Sequence, residues 1–346
     1  MKRIFTKPVF MRASVMLLMT MLTSVGVWAQ TTQFPTASGG SGSSEDPYKI
    51  SSTDDLNKLA ADVYSGTTYE NVYFELTTDI TYSTSGVGET GSNYTPIGGN
   101  GKLFKGHFDG KGKTIKGIRI YRDGNSDADT YLGIFGAIEC NEEQKSIEVK
   151  NLSLKDTKIT GSSNCGGIAG GCFGYVTITN CHVAADVTIH TVNGSTSYNH
   201  GGVVGFNSAG ASVSGCTSAA TISIADGITK FYQYGGIAGR NDSFSTIKDC
   251  LALKAKVTGS SYVGAIVGMN EGTLTNNCYT RYGVCGVGQF NSKRGSDQVG
   301  AQYGRIITGY EAPTVVLPYM LDGRRLSGKP TKNGLYIVNG RKVVVK

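Results

Sequence analysis

Gly166-Gly167-Ile168-Ala169-Gly170 decides how this chain is read, because it comes back. It returns as Gly201-Gly202-Val203-Val204-Gly205, as Gly235-Gly236-Ile237-Ala238-Gly239 and, varied, as Gly264-Ala265-Ile266-Val267-Gly268. Gly133-Ile134-Phe135-Gly136 is an earlier form, and the closing glycines stand 34, 35, 34 and 29 residues apart. A second landmark moves with the first: Val149-Lys150-Asn151-Leu152, Ile178-Thr179-Asn180-Cys181, Val213-Ser214-Gly215-Cys216, Ile247-Lys248-Asp249-Cys250, and Leu274-Thr275-Asn276-Asn277-Cys278 with one residue more. Ile115-Lys116-Gly117-Ile118 fits the same slot.

Between the landmarks lie short β-type runs such as Tyr175-Val176-Thr177-Ile178, without helical periodicity. A unit of roughly 30 residues made of such runs cannot bury its own apolar side, and stacking its copies solves the problem. Each strand then pairs with its equivalent in the next coil at about 4.8 Å, and the landmarks become columns. Ile134, Ile168, Val203, Ile237 and Ile266 are expected to form one inward column. Ile118, Leu152, Cys181, Cys216, Cys250 and Cys278 are expected to form another. Asn207, Asn241 and Asn270 share one position after the glycine motif and are read as a side-chain amide ladder at a turn. The fold class expected is all-β: a parallel β-helix, or β-solenoid, with a short N-terminal capping helix. Ser52 or Thr53 is its N-cap, and Leu56, Leu59, Ala60 and Val63 share one face.

The composition agrees. The 346 residues include 49 glycines and 7 prolines without a Gly-X-Y period, which excludes collagen and suits close turns between short strands. The formal net charge of +7 comes from the ends. Lys2, Arg3, Lys7 and Arg12, an apolar run and Val27-Trp28-Ala29 read as a secretory signal peptide over 1–29. The tail from Tyr319 holds seven basic residues and one acid, Asp322. Taking leader and tail away leaves 22 basic and 25 acidic residues, so the body is mildly acidic and carries no nucleic-acid signature. No later segment is apolar enough to span a bilayer as a helix. The expected organisation is a leader (1–29), an N-terminal segment (30–47), the solenoid (48–285), a linker (286–318) and a C-terminal β segment (319–346).

Two resemblances follow from these residues. Gly235-Gly236-Ile237-Ala238-Gly239-Arg240-Asn241, followed by Thr246-Ile247-Lys248-Asp249-Cys250, resembles the GLUG repeat of bacterial surface proteins. Ser44 to Ile50, Phe74 to Ile80, and Tyr94 to Gly98 with Phe104 to Ile118 are similar to the module that precedes such repeats. This resemblance implies an extracellular, adhesive or surface-associated protein without catalytic residues. The tail Tyr319 to Leu326, Gly334 to Gly340 and Lys342 to Lys346 is similar to type IX secretion sorting signals of Bacteroidetes, and reads as two strands around an Asn339-Gly340 turn.

Candidate chemistry is sparse. Cys181, Cys216, Cys250 and Cys278 are expected to be unpaired core residues, because stacked β-carbons point the same way and do not suit a disulfide. His107, His182, His190 and His200 show no metal-ligand spacing, so no metal or other cofactor is expected. Phe108 to Thr114 ends like a phosphate loop, but it lacks the first glycine and the following helix, and reads as a turn between strands. The carboxylates Asp156, Asp186, Asp242, Asp249 and Glu271 are scattered, which argues against catalysis. Tyr131, His200 and Tyr234 are the candidate binding residues: they share the position three before the inward Ile or Val, in company with Cys165 and Val263. The function expected is a non-enzymatic, secreted or outer-surface module for adhesion, or for glycan or protein binding, that also meets the secretion machinery. The alternative is a carbohydrate-active enzyme on the same scaffold. A face of aromatic and amide groups would favour binding, and clustered acids the enzyme.

Overall fold

The computed structural model describes residues 34, 39–124, 126, 130–192, 197–224, 231–253, 256–257, 262–280, 305–307, 334–338 and 341–345. The chain divides into two compact units, Met1–Phe34 and Pro35–Lys346, and the solenoid lies in the second. The expected signal peptide and the Asn339-Gly340 turn lie outside the described residues.

The protein is a parallel β-solenoid, and one middle coil shows its plan. Strands Ile147–Lys150, Ser153–Lys155, Thr157–Gly161, Ser163–Gly166 and Ala169–Gly174 follow one another around the coil. Each belongs to a different parallel sheet, here numbered 1 to 5 in that order. Sheets 1 and 2 have eight strands each, and sheets 3, 4 and 5 have five. The next coil enters sheet 1 at Val176–Thr179, so every strand's neighbour is its own equivalent one turn away.

The corners explain the landmark sequences. Asn151, Asn180, Asp249 and Asn276 all have φ near +50° where the chain turns from sheet 1 to sheet 2. Gly215 fills the same corner with φ +62°. Asn, Asp and Gly tolerate this left-handed conformation better than other residues, hence the Asn, Gly or Asp that precedes the column residue. Between corners, side chains alternate. Val149, Ile178, Val213 and Ile247 point inward from sheet 1 at 0 % exposure. Ile134, Ile168, Val203, Ile237 and Ile266 form the expected inward column, none more than 3 % exposed. Each such side chain removed from water contributes about 1.5–3 kcal/mol.

The second column differs from the expectation at both ends. Leu152, Cys181, Cys216 and Cys250 are aligned and buried. Ile118, however, aligns with Thr157, because Lys158 pairs with Arg119 in sheet 3. The corner from sheet 2 to sheet 3 also places a left-handed residue (Gly117, Asp156) before an inward one, so two different corners look alike in sequence. At the other end Cys278 pairs with Leu251. The extra residue in Asn276-Asn277 puts Asn277 in the cysteine slot, where its Oδ1 accepts from the Cys250 amide at 2.9 Å.

The N-terminal helix runs Thr53–Tyr64 with Ser52 as N-cap in a capping box: Asp55 N–H donates to Ser52 Oγ, and Ser52 N–H donates back to Asp55. Leu56, Leu59, Ala60 and Val63 are buried. Phe108 to Thr114 is a turn between His107–Asp109 and Thr114–Lys116, with Lys111 paired to Glu75 at 3.0 Å. Beyond the repeats, Arg305–Ile307 adds a strand to sheet 2 inside the stretch read as a linker; three residues are too few to show a period. Gly334–Val338 and Arg341–Val345 pair antiparallel. No helix among the described residues is long and apolar enough to cross a membrane.

Candidate functional site

The side chains singled out from the sequence are not brought together on the surface. His200 and Tyr234 are 0 % exposed and stack with ring centroids 5.0 Å apart. They pair in register with Cys165 and Val263. Burial lowers the pKa of His200 to about 4, against a weaker opposing hydrogen bond with Ser162 O. Both rings pack the inside of the coil, so neither meets a ligand at the surface. Tyr131 is not in their column: Leu132 pairs with Cys165 instead. The first coil has one glycine, Gly133, where later coils have two, so counting back three from Ile134 overshoots by one.

Tyr131 takes φ +68° and its ring turns outward over Gly171. A β-carbon at Gly171 would lie 2.8 Å from ring atoms of both Tyr131 and Phe173, so glycine is what lets the ring settle there. Tyr131 thereby joins a surface that lies on sheet 5. On its strands Cys172, Asn207 and Asn241 point inward, at 0 % exposure. The residues between them point outward in two files. Ala137, Gly171, Phe206, Arg240 and Met269 pair along one file, with Ala137 and Met269 buried at its two ends, and Glu139, Phe173 and Ser208 along the other, with Ser208 buried.

The two files form a run of rings along the solenoid axis. Tyr131 meets Phe173 edge-on at 5.6 Å, and Phe173 meets Phe206 edge-on at 5.8 Å. The Arg240 guanidinium stands over the Phe206 ring at 5.3 Å. All four residues are half-buried, with one surface held by the coil and one facing solvent. Arg240 also reaches Asp242 at 3.0 Å and Glu271 at 3.4 Å. Burial pushes the Asp242 carboxyl up, and the hydrogen bonds from Arg240 and with Glu271 outweigh it, so its pKa is lowered. The Gln233 amide lies 3.1 Å from the Met269 sulfur. The turn leaving this sheet carries Phe244, 92 % exposed at φ +66°.

Behind the face, Asn207 Nδ2 donates to Asn241 Oδ1 at 2.8 Å, and Asn241 Nδ2 donates to Asn270 Oδ1 at 2.7 Å. The amides also close their own turns on Ala211, Ser245 and Gly272 carbonyls. Their N–H groups are thus spent on the fold, and the Asn207 Oδ1 is buried without a hydrogen-bond partner among the described residues. The histidines are spent on the fold too: His182 bonds Thr217 and His190 bonds Ser223, each at 2.8 Å, and His107 stacks on Tyr73. No group of three His, Cys, Asp or Glu residues suited to a metal ion occurs among the described residues. Cys140, Cys165, Cys172, Cys181, Cys216 and Cys250 are free and buried. Of the scattered carboxylates, Asp242 and Glu271 meet at Arg240, whereas Asp156 pairs with Arg119 and Asp249 accepts from Asn276. A cavity of about 380 Å³ beside the helix is lined by Asn57, Tyr64, Asn93 and Arg122, but the Asn93 amide is engaged with Ser83, Gly117 and Arg119 backbone.

Phe173, Phe206 and Arg240 are the residues that the sequence reading missed. Phe206 and Arg240 each follow the last glycine of a landmark directly, and period-two alternation from the inward asparagines would have turned them outward.

No protein-family model matches the chain. Among curated proteins it is 37 % identical over 123 residues to a "Putative Gly-rich membrane protein" of Evansella cellulosilytica, covering 35 % of this chain and 12 % of that one. It is 30 % identical over 131 residues to "Halomucin" of Haloquadratum walsbyi, covering 38 % of this chain and 1 % of that one. The chain thus spans only a small part of the length of either relative. Among solved structures, a "putative immunoglobulin A1 protease" from Bacteroides ovatus superposes with a TM-score of 0.52 at 20 % identity, over 77 % of this chain and 85 % of that one. At that identity the likeness is one of fold.

Proposed function

We propose that this protein is an exported, surface-associated, non-enzymatic module that adheres by holding a glycan against the outer face of sheet 5. The observation that carries this reading is the run Tyr131, Phe173, Phe206 and Arg240, which keeps three half-buried rings and a guanidinium on one exposed face. Aromatic rings offer a large, rigid, apolar surface to the C–H side of a sugar, and the neighbouring polar groups offer hydrogen bonds to its hydroxyls. Export is supported by the leader, by the GLUG-like repeats and by the sorting-like tail. The name of the Evansella protein, which describes it as a membrane protein, fits a place at the cell envelope. The test is a glycan array probed with the wild-type chain and with Phe206→Leu. Binding by the first and not by the second is expected; equal binding by both would refute this face as the site. Intact mass of the native chain from cell surface and medium tests export, with a start at Gln30 expected.

A second reading, a carbohydrate-active enzyme, is favoured by one observation: Asp242 and Glu271 share Arg240 on the same face. Paired carboxylates are the usual machinery of glycoside cleavage. New reducing ends released from a bound polysaccharide, and lost in Asp242→Asn, would establish it.

A further inference from the structure

We infer that the ligand of the sheet 5 face is a neutral, linear polysaccharide lying along the solenoid axis with about one sugar per coil. This rests on the glycan reading above and adds the chemical class and the direction of the chain.

The direction follows from the register. Position by position, Gly171 pairs with Phe206 and Phe206 with Arg240, so equivalent outward positions recur once per coil, until the buried Met269 closes the file. That recurrence is about 4.8 Å, and the four coils that carry Tyr131, Phe173, Phe206 and Arg240 span roughly 14 Å. The contacts follow the same line: Tyr131 to Phe173, Phe173 to Phe206 and Phe206 to Arg240 are 5.6, 5.8 and 5.3 Å. A compact sugar would meet one or two of these groups. A linear chain whose residues advance by a similar step meets all of them, each sugar facing the group of its own coil. Across the axis the face is narrow, because sheet 5 supplies only two outward files before the chain turns at Gly174, Ala209 and Phe244.

The charge class follows from the ion pairs. At the N-terminal end Glu139 is matched by Lys105 at 3.3 Å. At the other end Arg240 is shared by two acidic groups, Asp242 and Glu271, so among the described residues that cluster holds one more acid than base. Between the two ends lie the rings and Ser208, which carry no charge. A uronate or sulfated chain would bring anions against Asp242 and Glu271, whose cation among the described residues, Arg240, is already shared between them. A neutral chain brings none, and its hydroxyls suit carboxylate acceptors.

The experiment is titration calorimetry of the full mature chain against cello-, manno- and chito-oligosaccharides of two to seven units, with oligogalacturonides as the acidic series. At least one neutral series is expected to gain about tenfold or more in affinity from two units to four, and to level off by about five. Oligogalacturonides of equal length are expected to bind at least about tenfold more weakly. Phe206→Leu, which keeps apolar bulk at that position, should lose the length-dependent gain, and a urea-unfolding midpoint close to wild type would show that the fold is intact. Tyr131→Leu should do the same one coil away, and serves if Phe206→Leu is unstable. Neutral oligosaccharides bound equally at two and at six units would overturn the axial placement while leaving the glycan reading standing. Tighter binding of oligogalacturonides would overturn the charge class. No binding in any series would overturn the inference, and with no signal on the glycan array the function itself falls.

Discussion

The imidazole of His200 and the phenol ring of Tyr234 stack inside the solenoid, 5.0 Å between centroids and 6° from parallel. Enclosure holds the imidazole neutral, with a pKa of about 4 against an ordinary 6.5. A base whose folded pKa is depressed takes up its proton more readily when unfolded. Its contribution is therefore complete above about pH 6.5 and is lost as pH falls toward 4. At about 1.36 kcal/mol per pH unit this is ~3 kcal/mol at most. His107, whose pKa burial also lowers, adds a loss of the same sign. Urea unfolding at pH 7 and at pH 4.5 should show this loss in wild type and a smaller one in His200→Phe. An identical loss in the variant would place the acid sensitivity elsewhere.

The amide ladder predicts a gradient. Asn241 gives a hydrogen bond to Asn270 and takes one from Asn207, at 0 % exposure. Asn241→Ala should lower stability by about 2–3 kcal/mol, since buried groups lose partners on both sides. Asn270, half-buried at the end of the ladder, should lose about 1 kcal/mol when replaced by Ala. Equal effects at the two positions would contradict a ladder anchored in the core.

Among the described residues six cysteines are free and no more than 5 % exposed. Burial pushes the thiols of Cys165, Cys172, Cys181 and Cys250 up, away from the reactive thiolate. Iodoacetamide at pH 8 should leave these six unlabelled in the native chain. In urea without reductant all six should react, and peptide mapping should find each alkylated. Disulfide-linked peptides from this set would disprove the unpaired column.

Phe244 holds a left-handed conformation with its ring in solvent, where the preceding coil has Gly210 at φ +100°. A bulky side chain there costs roughly 1–2 kcal/mol, partly offset by the entropy that a glycine would lose on folding. Phe244→Gly should therefore raise stability by about 0.5–1 kcal/mol in thermal or urea unfolding. A destabilised variant would mean that the ring makes contacts that outweigh the strain.

The sequence by itself determined the solenoid, its inward isoleucine column, the cysteine stack from Cys181 to Cys250, the asparagine positions and the helix cap. These are local, repeated requirements: an inward apolar side chain, a left-handed corner and a capping hydroxyl each leave a mark at fixed spacing. Only the tertiary structure decided what the surface presents. Sequence counting put Tyr131 beside His200 and Tyr234, yet one missing glycine turned Tyr131 outward, while the coil enclosed the other two. Cys278 likewise left its column through one added asparagine. In a strand one residue of slip exchanges inside for outside, so a shift too small to disturb the repeat reverses the role of a side chain. Phe206 and Arg240 share a motif position but differ in residue type, Phe173 stands two residues further along its strand, and the three become one face only when the coils stack them.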